Sequence, residues 1–234
     1  MVRIFFIIIA LFYSGISFAS GEVKNNSNLK NKDESSMIIF DYINKNNKNK
    51  MVELLKTNPN ILEIRNSQNQ TPLMVAVYNN NKDLAKELIL LGANVNAQDN
   101  IKNTPFLYAG AEGQLEIVKL SLQHGAKFNI YNRYGGTALI PAAEKGHLDV
   151  VKLLANTKGF PIDHVNNLGW TALMEAVVLG DGSKKQYDII EALLQAGANP
   201  NIPDKDGILA VQHASKRGYN AIAELIEKYD PKKQ

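Results

Sequence analysis

The sequence predicts an all-α repeat protein, a solenoid of stacked helices, and two observations lead to this prediction. A Thr-led tetrapeptide begins at Thr71, Thr104, Thr137 and Thr171, at intervals of 33, 33 and 34 residues. Each copy is followed nine residues later by Gly or Asn, then by an apolar run at helical spacing that ends in Gly-Ala or a similar pair. A fixed period of this length is typical of proteins that stack one structural unit on the next.

The repeated unit resembles the ankyrin repeat. Thr71–Met74 (Thr-Pro-Leu-Met) and Thr104–Leu107 (Thr-Pro-Phe-Leu) match its start, and Gly92–Asn96 (Gly-Ala-Asn-Val-Asn) matches its end. The resemblance covers about residues 36–234 and implies two antiparallel helices and a β-hairpin finger in each unit. It divides this domain into about six repeats, approximately at 36–69, 70–102, 103–135, 136–169, 170–207 and 208–234. The first and last repeats are degenerate, as expected of end caps that leave one face in water.

Local residue chemistry agrees with this unit. The Thr hydroxyl is expected to cap the first helix of each repeat, and Pro is tolerated in the first turn, where its missing N–H costs nothing. Gly supplies the left-handed conformation that ends a helix. Asn or Asp three residues before Gly predicts the turn of each finger, as in Asn132–Gly135 and Asp204–Gly207.

Two features depart from the family pattern. The family often has His at the fourth place of the tetrapeptide, where it hydrogen-bonds between repeats. Here that place is occupied by the apolar residues Met74, Leu107, Ile140 and Met174, and by Gln212 in the last repeat. The four apolar residues predict apolar packing between repeats instead. The fifth repeat also has about five extra residues within Gly180–Tyr187, which predict a longer turn between its two helices. They are either a tolerated surface insertion or a specific binding loop.

The N-terminal segment predicts export. Arg3 is followed by an uncharged apolar run from Ile4 to Tyr13 and by small residues at Ser17 and Ala19. This is the pattern of a signal peptide over residues 1–19, cleaved before Ser20, with an uncleaved N-terminal anchor as the alternative. Residues 20–35 are almost wholly polar and predict a disordered tether. A lipoprotein is not expected, because lipidation at this site requires a Cys and the chain has 0, and no membrane insertion is expected after cleavage.

Composition and motifs argue against several function classes. With 26 basic and 23 acidic residues the net charge is only +3, so no nucleic-acid partner is expected. Without Cys there are no disulfides, thiolate zinc sites or cysteine nucleophiles. The four His form no metal or catalytic motif, and Asp204–Gly207 is similar to a calcium loop but lacks the downstream ligands. We therefore expect no enzyme activity, cofactor or metal; a small-ligand or enzymatic site at the fifth-repeat insertion remains an alternative.

The resemblance implies that this chain binds a protein partner on its fingers and first helices, as a monomer. The finger and first-helix residues that vary between repeats are the candidates for this surface, because interface energy concentrates in aromatic, apolar and Arg anchors. The candidate partner-binding residues are Lys102, Tyr131, Arg133, Tyr134, Glu144, Lys145, Asn167, Leu168, Trp170 and Leu179. For Trp170 the alternative is that its ring folds back onto its own finger.

Residues 131–207 are also similar to a narrower group of exported bacterial ankyrin proteins. This likeness implies that the Gly180–Tyr187 insertion and the Trp170 finger belong to a functional surface. The export signal, joined to a repeat array without a catalytic motif, favours a non-enzymatic binding module in a bacterial envelope, in the periplasm. Two alternatives remain. The protein is a secreted effector that binds host proteins, or it is an accessory factor that protects an envelope enzyme such as a catalase.

Overall fold

The computed structural model describes residues 37–231, and every regular element in this range is a helix. Residues 37–44 form α1, followed by α2 (Lys48–Thr57) and a 3-10 helix (Pro59–Glu63). The later repeats each contribute a first and a second helix. These are α3 (Pro72–Tyr78) and α4 (Lys82–Leu90), α5 (Pro105–Ala111) and α6 (Leu115–Gln123), α7 (Leu139–Glu144) and α8 (Leu148–Ala155), α9 (Ala172–Val178) and α10 (Lys184–Gln195), and α11 (Ala210–Lys216) and α12 (Asn220–Lys228).

The helices stack in two layers. The first helices α3, α5, α7, α9 and α11 contact one another in chain order, and so do the second helices α4, α6, α8, α10 and α12. The buried apolar side chains of both layers form one continuous core along the stack. A unit that contacts its neighbours in this way defines a solenoid, which confirms the predicted all-α repeat fold.

The predicted signal peptide and tether, residues 1–35, lie outside the described residues, and so does the end of the last repeat. None of the helices between residues 37 and 231 has both the length and the apolar character needed to span a lipid bilayer.

Three of the four Thr residues cap a first helix as predicted. The hydroxyl of Thr104, for example, accepts a hydrogen bond from the Leu107 N–H at 3.0 Å. Thr137 was expected to do the same, and this prediction is wrong: α7 begins only at Leu139, and the Thr137 hydroxyl is buried without a partner. Pro141 accounts for the later start of the helix, since it has no N–H to donate to the Thr137 carbonyl. In the second repeat the corresponding donor is the N–H of Val75.

This difference gives a prediction. Replacing Thr104 by the isosteric Val should lower the free energy of unfolding by about 1 kcal/mol, since it removes a cap. Thr137→Val should leave stability unchanged or raise it, because the hydroxyl that it removes is buried without a hydrogen bond. Urea denaturation of the two variants checks this, and equal losses in both would contradict it.

Each finger is a five-residue turn closed on the side chain of its first residue. In the third repeat the Asn132 side-chain oxygen accepts from the N–H groups of Tyr134 (2.9 Å) and Gly136 (3.0 Å). The Asn132 N–H donates to the Gly136 carbonyl at 3.0 Å. The same ring forms from Asn66, Asp99, Asn166 and Asp204. Because this ring uses the backbone groups that a ladder would need, the fingers contain turns and no strand among residues 37–231.

The fifth-repeat insertion extends a helix more than a turn. The connection between α9 and α10 spans residues 179–183, two residues more than the three-residue connections of the neighbouring repeats. The other three extra residues lengthen α10, which has 12 residues where α4, α6 and α12 have 9. The prediction of a longer turn was therefore right in position, but it assigned to a loop what is mainly an added helical turn.

A buried amide at the start of the second helix ties neighbouring repeats together. The Gln114 side chain donates to the Val77 carbonyl of the preceding repeat at 3.0 Å. Gln186 takes this role in the fifth repeat, where it donates to the carbonyls of Ala143 (3.2 Å) and Ala176 (2.8 Å). The extended α10 thus keeps the polar contact between repeats, since its first turn returns Gln186 to the stack.

Candidate partner-binding surface

Three neighbouring fingers carry exposed apolar side chains at the third position of the turn. Ile101, Tyr134 and Leu168 are 45%, 54% and 49% exposed. The same position is polar in the outer fingers, where it is occupied by Gln68 and Asp206. We call Ile101, Tyr134 and Leu168 the apolar fingertips. Contiguous exposed apolar groups on a folded protein are typical of an interaction surface.

A cavity of about 400 Å3 lies between two of these fingertips and the first helices α5, α7 and α9. We call it the central cavity. Six of the ten candidate residues line it, and these are Arg133, Tyr134, Glu144, Lys145, Leu168 and Leu179. The structure therefore brings together residues from three repeats that the sequence only marked as variable.

The other four candidates lie outside the central cavity. Lys102 is exposed and takes the left-handed place of its turn, with φ 62°. Tyr131 stacks on His164 with ring centroids 4.2 Å apart. The Asn167 N–H donates to the Tyr134 carbonyl at 2.9 Å and so joins two fingers. Trp170 is half-buried and packs against the apolar core, which favours the alternative that its ring belongs to its own finger.

The comparisons with known proteins agree with this architecture. The family model for ankyrin repeats in three copies matches residues 11–99, 39–132 and 106–204, well over half of the chain. The chain belongs to the ankyrin repeat family. A crystal structure of an ankyrin repeat domain from Acinetobacter baumannii AYE has 46% identity and a TM-score of 0.78, and the match covers 82% of this chain and 96% of that one. The ankyrin repeat protein EF0377 has 40% identity and a TM-score of 0.79, with 82% and 97% covered.

Among curated proteins, the ankyrin repeat protein YahD of Escherichia coli (strain K12) is 43% identical over 74 residues, which is 32% of this chain. The match spans 36% of the length of that relative. Ankyrin repeats are protein–protein interaction modules, and they typically lack catalytic activity. The family thus supports the coarse functional prediction of protein binding.

The two cations that line the central cavity, Lys145 and Arg133, each make a contact within the protein. Lys145 pairs with Glu112 of the preceding repeat at 2.6 Å. The Arg133 guanidinium lies over its neighbour, the Tyr134 ring, 4.7 Å from the centroid, a cation–π arrangement. Both cations of the cavity lining are therefore engaged within the protein itself.

Glu175 of α9 is the residue that the sequence analysis missed. It lines the central cavity and is only 7% exposed. Burial raises the pKa of its carboxyl to about 7, the nearby negative charge of Glu144 adds to this, and a hydrogen bond from Asn166 partly offsets it. A signal was present: the equivalent first-helix places of the preceding repeats hold Val75, Tyr108 and Pro141. Glu175 is therefore a charged residue at a place that is uncharged in the three preceding repeats.

A second cavity of about 510 Å3 lies among the N-terminal repeats, bounded by Phe40, Tyr78 and Ile101. The Tyr78 hydroxyl donates to the Asp99 carboxylate at 2.6 Å and accepts from the Asn103 amide at 3.0 Å. Burial and the hydrogen bond to Asp99 raise the pKa of Tyr78. These bonds tie a first helix to its finger, so they support the shape of the surface.

The four His residues take structural contacts. His164 bonds the Gly135 carbonyl at 2.6 Å, and His124 bonds the Leu120 carbonyl at 2.9 Å. His213 contacts the first residue of the last finger, Asp204, at 2.7 Å and helps to hold the pKa of that carboxyl low. Burial lowers the pKa of His147. Between residues 37 and 231 no group of three or more His, Asp or Glu side chains converges in a way that could hold a metal ion.

Proposed function

We propose that this ankyrin protein is an exported, non-enzymatic module that binds a protein partner in the central cavity and on the apolar fingertips. The observation that carries the proposal is the row Ile101, Tyr134 and Leu168, which leaves three apolar side chains about half exposed on adjacent fingers. Large side chains in that position contribute most when a partner fully covers them. The proposed partner therefore buries these three side chains and fills the central cavity, which Tyr134 and Leu168 line.

The bacterial envelope is the proposed location. Support comes from the signal-peptide pattern over residues 1–19, in which Arg3 precedes the uncharged run Ile4–Tyr13. Cell fractionation tests the location: a tagged protein should appear in the periplasmic fraction. Recovery only from the culture fluid or from a host cytosol would instead support the secreted effector.

The binding test uses in-cell crosslinking followed by capture of the tagged protein. A photoreactive residue in place of Ile101 should crosslink to the partner, which mass spectrometry then identifies. With that partner purified, Tyr134→Ala/Leu168→Ala should weaken binding by about thirtyfold, or roughly 2 kcal/mol, because the double variant removes two adjacent anchors. Calorimetry measures the affinity.

The matched control is Leu90→Ala/Leu91→Ala, which removes two exposed apolar side chains from the second-helix layer. It should leave the affinity unchanged. Equal binding by the fingertip variant and by the control would remove the fingertips from the interface and contradict the proposal. If the captured partner is itself an envelope enzyme, the protein is identified as an accessory factor of that enzyme.

A further inference from the structure

The lining of the central cavity includes the carboxyls of Glu144 and Glu175 as well as apolar side chains. Glu175 is buried and Glu144 is exposed, and the two are close enough that their charges repel. Tyr134, Leu168 and Leu179 are among the apolar members of the lining. A cavity of this kind combines apolar surface for a side-chain stem with two carboxyls.

The other charged groups around Glu175 are already engaged. From α5, Glu112 holds Lys145 of α7 at 2.6 Å, and Tyr108 contributes only its phenol. From the finger, Arg133 lies on the Tyr134 ring. From α11, His213 is bound to Asp204 at 2.7 Å. Lys145 is neutralised by Glu112, so the charges that remain in the lining are Glu144 and Glu175 against the single cation Arg133. With both carboxyls ionised, the net negative charge attracts a positive group and repels an anion.

The shape of the site favours Lys over Arg. A hydrogen bond from the Asn166 amide already occupies part of the Glu175 carboxylate, which leaves less of it open to a two-pronged guanidinium. Lys has a compact ammonium on a four-carbon stem, and such a stem packs along apolar surface while its head reaches a charge. Leu168 and Leu179 supply that apolar surface.

We propose that the central cavity is a lysine-anchor site, in which a Lys side chain of the protein partner packs against Leu168 and Leu179 and its ammonium binds between Glu175 and Glu144. This inference rests on the proposed function and adds the chemistry that the partner must present. Only ionised carboxylates bind an ammonium well, so the affinity must rise with pH across the range in which Glu175 loses its proton.

The test is a titration with Nα-acetyl-lysine N-methylamide, followed by amide chemical shifts of the labelled protein. The neutral norleucine analogue and the acidic glutamate analogue are the comparison probes. We expect saturable shifts at the residues lining the central cavity with the lysine probe, and a dissociation constant about thirtyfold lower at pH 8 than at pH 5.5, because the pKa of Glu175 lies at about 7.

Two variants make the result specific. Glu175→Gln keeps the shape and the hydrogen-bonding capacity of the side chain, so it should weaken lysine binding at least tenfold at pH 8 and remove most of the pH dependence. Glu116→Gln removes an exposed carboxyl from α6, away from the cavity lining, and should bind like the parent protein. The thermal midpoint of each variant confirms that it is folded.

Several outcomes would overturn the lysine-anchor site. They are equal binding of the norleucine analogue, lysine binding that Glu175→Gln leaves unchanged, or the absence of saturable shifts at the cavity up to about 50 mM probe. A different result would contradict the proposed function. A crosslinked partner that Glu175→Gln binds as well as the parent keeps protein binding and removes only the lysine anchor, whereas fingertip variants without effect remove the proposed interface itself.

Discussion

Replacing Leu88 by Ala is expected to lower the free energy of unfolding by about 3 kcal/mol, within the range for buried Leu→Ala substitutions. Leu88 is 0% exposed in α4 and belongs to the continuous core. The substitution deletes apolar contacts and leaves a cavity in the core. Since α4 also packs on α6 of the next repeat, the loss weakens a contact on which neighbouring units depend.

Leu90 in the same helix is the matched control, because it is 64% exposed. Leu90→Ala makes the same chemical change with the same small effect on helix propensity, and it should alter stability by less than about 0.5 kcal/mol. Thermal denaturation measures both, with a fall in the midpoint of roughly 6–12 °C expected for Leu88→Ala alone. Similar shifts in the two variants would contradict the assignment of the core face of α4.

The repeat order of the fold was predictable from sequence because one local pattern recurs, and each copy forms the same pair of helices and packs on its neighbours in the same way. Where the chain departs from the pattern, the prediction failed for a local reason. Thr137 keeps the capping residue, but Pro141 withholds the N–H that starts the helix one residue earlier in the other repeats. The extra residues after Gly180 were correctly located, yet their division between a turn and α10 depends on where Gln186 must sit to bond the Ala143 carbonyl.

The candidate surface was predictable only in part. Variation between repeats indicates which positions are free of a structural role, and Arg133, Tyr134 and Leu168 were chosen as candidates in that way. It does not show which of them share a cavity, because that depends on the stagger between repeats. It also overlooked Glu175, since a single carboxyl in a helix usually faces water, and only the packing of α9 against α7 reveals that this one is buried.

Glu175→Gln is expected to stabilise the protein in a pH-dependent way. The pKa of Glu175 rises from its ordinary 4.5 to about 7 on folding, so the folded state holds this proton more tightly than the unfolded state. The contribution of Glu175 to the free energy of unfolding is therefore fully present below pH 4.5. It is lost as the pH rises toward 7, and stability levels off above that. Gln cannot ionise and escapes this loss, which amounts to up to about 3 kcal/mol at pH 8.

Denaturation curves of Glu175→Gln and the parent protein at pH 4.5 and pH 8 measure the effect. The two proteins should have similar stability at pH 4.5, and the variant should be more stable at pH 8. Glu224→Gln, at an exposed place on α12, is the control and should change stability little at either pH. A difference that does not grow with pH would contradict the burial of an ionisable carboxyl. A carboxylate that weakens the fold at neutral pH is a stability cost typical of binding sites, and here it supplies the negative charge that the proposed lysine anchor requires.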